Sequence, residues 1–98
     1  MSQPAAKNWD HGQATIGTSA SQVIAAATSA IFGISLKAAP DNAGTVYVGR
    51  SDVTADTANA TDGIPLAAGE EFFIPTDNPS TVYAIASQAS QGLFFAYA

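Results

Sequence analysis

The chain has no cysteine, a single histidine, three basic residues and no long uninterrupted apolar run. Each shortage excludes a class of function. Without cysteine there is no disulfide framework, no thiolate nucleophile and no cysteine-based zinc site. One histidine excludes a multi-histidine metal site within one chain and leaves one conventional base near neutral pH. Lys7, Lys37 and Arg50 face eight acidic residues, giving a formal net charge of −5 and an isoelectric point near 4.2. A phosphate backbone repels such a chain, so nucleic-acid binding is disfavoured. The best membrane-helix candidate, 20–33, is shorter than the roughly 18 residues required and carries Ser21, Gln22, Thr28 and Ser29. The Met-Ser-Gln-Pro start has no basic region followed by an apolar run, so no signal peptide is expected. The expectation is a protein made and kept on the cytoplasmic side, or packed into something assembled there.

Large apolar side chains are also scarce. Of the 98 residues, 47% are hydrophobic, but 21 of these are alanine, and Ile, Leu, Val and Phe together number 20. Alanine buries about one methyl group and contributes far less transfer free energy than the larger types. A single domain of this size buries about two-thirds of its unfolded surface. Further burial against a partner would help it, so oligomerisation or docking onto a larger assembly is the first expectation.

What is present is a period of two. Ile34 and Leu36 alternate with Ser35 and Lys37; Val46 and Val48 with Thr45 and Tyr47; Phe72 and Ile74 with Glu71 and Phe73. Val82, Ala84 and Ala86 alternate with Tyr83, Ile85 and Ser87, and Leu93, Phe95 and Tyr97 with Phe94 and Ala96. Successive side chains of an extended chain point to opposite faces, so each run offers an apolar face to a core. Turn formers lie between the runs at 40–44, 67–70, 75–79 and 87–92. The spacing predicts an all-β fold: an antiparallel β-sandwich, jelly-roll-like, of about eight short strands. Residues 1–12, with Pro4, Trp9 and Gly12, read as an irregular N-terminal arm, and 13–98 as one sandwich domain. The arm is either a tether onto a neighbouring subunit or a strap over its own core. Over 18–31, alanine favours a helix capped by Ser21, while Val23, Ile24, Thr28 and Gly33 favour a strand; a strand is expected because its neighbours are strands. Residues 49–63 read as a solvent-exposed loop.

No residue pattern points to catalysis, a cofactor or a metal. Asp52, Asp56 and Asp62 are spaced by four and six with no closing carboxylate, unlike a calcium-binding helix-loop-helix, and a solvated acidic loop is the better account. Glu70 and Glu71 are adjacent, so a strand would send them to opposite faces. His11 beside Asp10 lacks a nucleophile on a shaped turn. The aromatics are more informative. Tyr47, Phe73, Tyr83 and Phe94 occupy the alternate parity in strands whose other parity is already apolar, and strands apolar on both faces are usually covered on both. With Trp9 and His11 of the arm they are the candidate protein-interface residues; a carbohydrate-binding platform is the competing use of the same aromatics.

Read in order, Gly33-Ile34-Ser35-Leu36-Lys37-Ala38, Gly44-Thr45-Val46-Tyr47-Val48-Gly49, Ser51-Asp52-Val53-Thr54, Gly63-Ile64-Pro65-Leu66-Ala67-Ala68-Gly69-Glu70 and Val82-Tyr83-Ala84-Ile85-Ala86-Ser87 resemble a group of small tailed-bacteriophage virion proteins. The similarity runs over about 14–98 and lies in the order of short motifs. It implies a compact antiparallel β-sandwich with no enzyme activity: a capsid decoration (cement) protein on the capsid surface, or a module of a head fibre or tail that recognises the host or a glycan. Such decoration proteins clamp neighbouring subunits of the major capsid protein, often as trimers, so the implied partners are that protein, or another virion protein, and further copies of the chain. The variable loop of the pattern, 54–62 here, is rather alanine-rich, and the arm has no motif that matches.

Overall fold

The structure, a computed structural model, describes residues 9–24, 29–56 and 58–98. Among these are eight strands: β1 (Asp10–Ile16), β2 (Ser21–Gln22), β3 (Ile34–Ala38), β4 (Val46–Gly49), β5 (Ile64–Leu66), β6 (Glu71–Ile74), β7 (Tyr83–Ala86) and β8 (Gln91–Tyr97). They form two four-stranded antiparallel sheets. The first is ordered β1-β8-β3-β6 and the second β2-β7-β4-β5. Pairs β1–β8, β2–β7, β3–β6 and β4–β5 therefore nest inside one another, as if one long hairpin had been folded over. The expected all-β sandwich is what forms. No helix among the described residues is long and apolar enough to cross a membrane.

The hydrogen-bond phase of the first sheet is fixed at both ends of β3. Gly33 and Ala98 exchange N–H···O bonds at 3.3 Å, and the Ala39 N–H donates to the Gly92 carbonyl at 3.0 Å. Odd-numbered residues of β3 thus bond to β8, and even-numbered ones to β6, because antiparallel ladders alternate. At the β6 end the Ala38 N–H donates to the Glu70 carbonyl at 3.0 Å, while the Ala38 carbonyl accepts from the Gly69 N–H at 3.0 Å. Two residues opposite one, with Gly69 at φ +82°, make a glycine-type β-bulge. It closes a turn in which the Glu70 N–H donates to the Ala67 carbonyl and the Ala67 N–H to Glu70 Oε1. A Cβ at position 69 would meet nothing, so backbone conformation alone selects the glycine there.

This phase puts Ile34, Leu36 and Ala38 on the inner face. There they join Ile16, Val23, Val46, Val48, Leu66, Val82, Ala84, Ala86 and Leu93 in one core, with Ile74, Phe95 and Tyr97 packed at its edge. The alternation read from β3, β4, β7 and β8 is the alternation found. Two boundaries differ. β1 begins at Asp10, so Asp10, His11 and Gly12 of the expected arm belong to the sheet, paired with Tyr97, Ala96 and Phe95. Among the described residues of 18–31 the expected strand is present at Ser21–Gln22; Val23 continues it with one bond to the Val82 carbonyl, and 25–28 lie outside the described residues.

Leu36 is 1% exposed at the centre of the core, and truncating a buried leucine costs about 2–5 kcal/mol. Leu36→Ala is expected to lower the urea-unfolding free energy by about 3 kcal/mol, while Ser35→Ala, on the outer face, leaves it within about 0.5 kcal/mol.

Candidate functional site

The register across the first sheet aligns its outward side chains into two rungs. One runs Phe73–Ser35–Ala96–His11 and the next Glu71–Lys37–Phe94–Gln13. Small residues, Ser35 and Ala96, occupy the middle of the first rung, and the bulky ones flank it. The result is a shallow groove of about 190 Å³ between Phe73 on one side and Trp9 on the other, ended by Phe32. Trp9 leans on His11, with ring centroids 5.7 Å apart. Phe94 stands on the second rung between Lys37 and Gln13, next to the exposed Lys37–Glu71 ion pair at 3.8 Å. Trp9, Phe32, Phe73 and Phe94 are each between 42% and 58% exposed, a set of open rings on one face of the kind that marks interaction sites.

Phe32 is held in place by an arrangement its side chain does not share in. The amides of Ile31, Phe32 and Gly33 all point at the Ala98 carbonyl oxygen, at 3.0, 2.7 and 3.3 Å. Gly33 adopts φ +139°, and a Cβ there would collide with the Ile74 carbonyl oxygen. Only glycine allows the chain to pass this close to β6. Gly33→Ala is accordingly expected to destabilise the protein by about 2–4 kcal/mol in thermal or urea unfolding.

Of the expected interface residues, Trp9, His11, Phe73 and Phe94 are brought together on this face. Tyr47 and Tyr83 are not. They lie half-buried on the outer face of the second sheet, Tyr47 between Pro65 and Ile85 and Tyr83 opposite Gln22. Phe32 and Ile31 were not legible as site residues, because they precede Gly33 outside any alternating run. The two faces differ in character: the first sheet leaves its rings open, while the second packs its tyrosines among neighbours.

The acidic loop after β4 is organised by Asp62. Its Oδ1 accepts from the Thr54 hydroxyl and its Oδ2 from the Asn59 N–H, both at 2.6 Å. The backbone around it closes through Thr54 N–H to the Thr61 carbonyl and Gly63 N–H to the Thr54 carbonyl. Both carboxylate oxygens are thus used within the loop. Among the described residues no group of three or more His, Asp or Glu side chains is placed to hold a metal. Partial desolvation raises the Asp62 pKa, but the bonds from Thr54, Asn59 and Ala58 outweigh it and hold it below the usual 3.8. Folding lowers this pKa, so the carboxylate's contribution is complete above the unfolded value and is lost as pH falls through the folded one. Carboxyl NMR titration should give Asp62 a midpoint below 3.8, and Asp62→Ala should abolish the exchange protection of the Asn59 and Gly63 amides.

No protein-family model matches the chain, and neither curated proteins nor solved structures yield a match.

Proposed function

We propose that this chain is a non-enzymatic structural protein of a tailed-bacteriophage virion: a capsid decoration (cement) protein that stabilises the head by binding neighbouring capsid subunits. The observation that carries the reading is the aromatic outer face of the first sheet, built from Trp9, Phe32, Phe73 and Phe94. Burying one such ring on a partner is worth about 1.5–3 kcal/mol, and several rings on one rigid sheet add specificity of shape. The nested strand pairing is the order expected of a jelly roll, an architecture that capsid proteins use, and it supports the reading. So do the order of motifs from Gly33 to Ser87 and the small core, which leaves the chain with apolar surface to bury elsewhere.

Such a protein works by mass action. Anything that binds the assembled shell but not its dissociated subunits stabilises the shell, and many copies multiply a modest interface. The partner is the major capsid protein, the site the capsid surface, and neighbouring copies of the chain share the load.

The purified chain should bind purified phage heads to saturation, at a stoichiometry of hundreds of copies, and raise the temperature at which heads come apart. Phe94→Asp, on an exposed position, should weaken that binding more than about tenfold without loss of fold. Deleting residues 1–9, ahead of β1, should weaken it as well. Failure to bind heads, together with binding to host surface glycans lost on Tyr47→Ala or Tyr83→Ala, would instead favour a fibre or tail module.

A further inference from the structure

We infer that two copies of this chain join edge to edge through β6, fusing their first sheets into one continuous eight-stranded sheet. The proposal goes beyond the capsid reading and requires no capsid.

Each sheet has two edges, and three of the four offer a partner strand little. β5 carries Pro65 in its centre and β2 is two residues long, both usual defences of an edge strand. β1 sends His11, Gln13 and Thr15 outward, polar side chains with little apolar area to bury. β6, Glu71-Phe72-Phe73-Ile74, has two adjacent phenylalanines that are both exposed. The bonding phase of β3 turns the backbone groups of Phe72 and Ile74 towards Leu36 and Ile34. Those of Glu71 and Phe73 therefore face outward. The bulge at Gly69 and the proline at 75 bound this edge on either side, so a partner strand can engage it in few registers.

A two-fold axis through Phe73 pairs most of the edge. Phe73 exchanges its N–H and C=O with Phe73 of the second copy, and the Glu71 N–H donates to the other Pro75 carbonyl; Pro75 has no N–H to return, so the Glu71 carbonyl stays with solvent. On the inner face, Phe72 lies opposite Ile74 of the second copy. That contact matters because Phe72 and Ile64 have inward parity yet remain exposed: the two sheets part between β5 and β6. They leave a cleft of about 450 Å³ lined by Ile64, Phe72, Ile74 and Val82, with Arg50 and Thr76 also on its wall.

Charge selects the register and the occupant. Arg50 has no ion pair among the described residues. With the axis at Phe73, Glu70 of the second copy falls opposite Thr76, on the cleft wall that Arg50 shares. Moving the axis to Phe72 would set Glu70 against Ile74, and moving it to Glu71 would set the two Glu71 side chains against each other. A second copy thus sets the Glu70 carboxylate, whose Oε1 already accepts the Ala67 N–H, on the cleft wall that Arg50 shares, and brings its own apolar residues to the cleft.

Single cysteines in this cysteine-free chain read the register directly. Directly opposite, hydrogen-bonded residues have Cα atoms about 5.5 Å apart, within disulfide range. Glu71 and its own copy would be displaced by four residues, roughly 14 Å. Under mild oxidation Phe73→Cys should cross-link almost completely, and Glu71→Cys and Gln13→Cys should not. Light scattering should give the unmodified chain twice its 9.9 kDa mass at high concentration, and Phe73→Asp should return it to a monomer that unfolds at the temperature the unmodified chain shows when diluted to a monomer. Arg50→Gln and Glu70→Gln should each weaken dimerisation several-fold, and the double variant no further. A trimeric mass, efficient cross-linking through Gln13→Cys or Glu71→Cys, or no cross-linking through Phe73→Cys would overturn the proposal; none of these readouts involves capsid binding.

Discussion

The register of β3 against its two neighbours is the constraint on which the rest depends. It is pinned by Gly33 against Ala98 at one end and by the Gly69–Glu70 bulge at the other. A slip of one residue would turn every side chain of the strand to the opposite face. Lys37 would enter the core without a partner, a cost of several kcal/mol, and Leu36 would face solvent. The same register decides which of two consecutive phenylalanines, Phe72 or Phe73, points towards the core. Core, groove and free edge are therefore consequences of one alignment.

That alignment gives the molecule two unlike outer surfaces. On the second sheet, Tyr47 and Ile85 shield one another and Pro65 covers the edge. On the first, small residues at Ser35 and Ala96 leave the flanking rings uncovered, and the Lys37–Glu71 ion pair is exposed and contributes little to stability. An acidic protein with one open aromatic face and a low density of charge on it is suited to adhere by shape and burial rather than by electrostatic attraction. The core of twelve buried residues among those described is small, and aromatic surface stays exposed beside it.

Much of this was written in the sequence, and the missing parts have physical reasons. Strict alternation in β3, β4, β7 and β8 made those strands and their inward residues legible. β1 was not, because Gly12 and Ala14 on its inner face carry almost no hydrophobic signal, and its first residues read as an arm. Within the described part of 18–31 the strand covers Ser21–Gln22, where alanine and β-branched residues pulled in opposite directions. Strand order could not be read at all, since strands of equal period and similar composition are interchangeable until they are packed. For the site, the outward parity of Phe73 and Phe94 was legible and that of Tyr47 and Tyr83 too, but which face each belonged to required the sheet order. Phe32 escaped notice because backbone amides, which sequence does not display, hold it there. Asp62 looked like one of three loop carboxylates until its two oxygens were seen to be occupied by Thr54 and Asn59.

Hydroxyl-radical footprinting of the chain, free and on the intact particle, tests most directly whether the open aromatic face is the one that works. The account predicts that labelling of Trp9 and Phe94 falls sharply on the particle, while labelling of Tyr47 and Tyr83 stays as it is in the free chain. Equal labelling of Trp9 and Phe94 in the two states, or protection at the tyrosines alone, would contradict it.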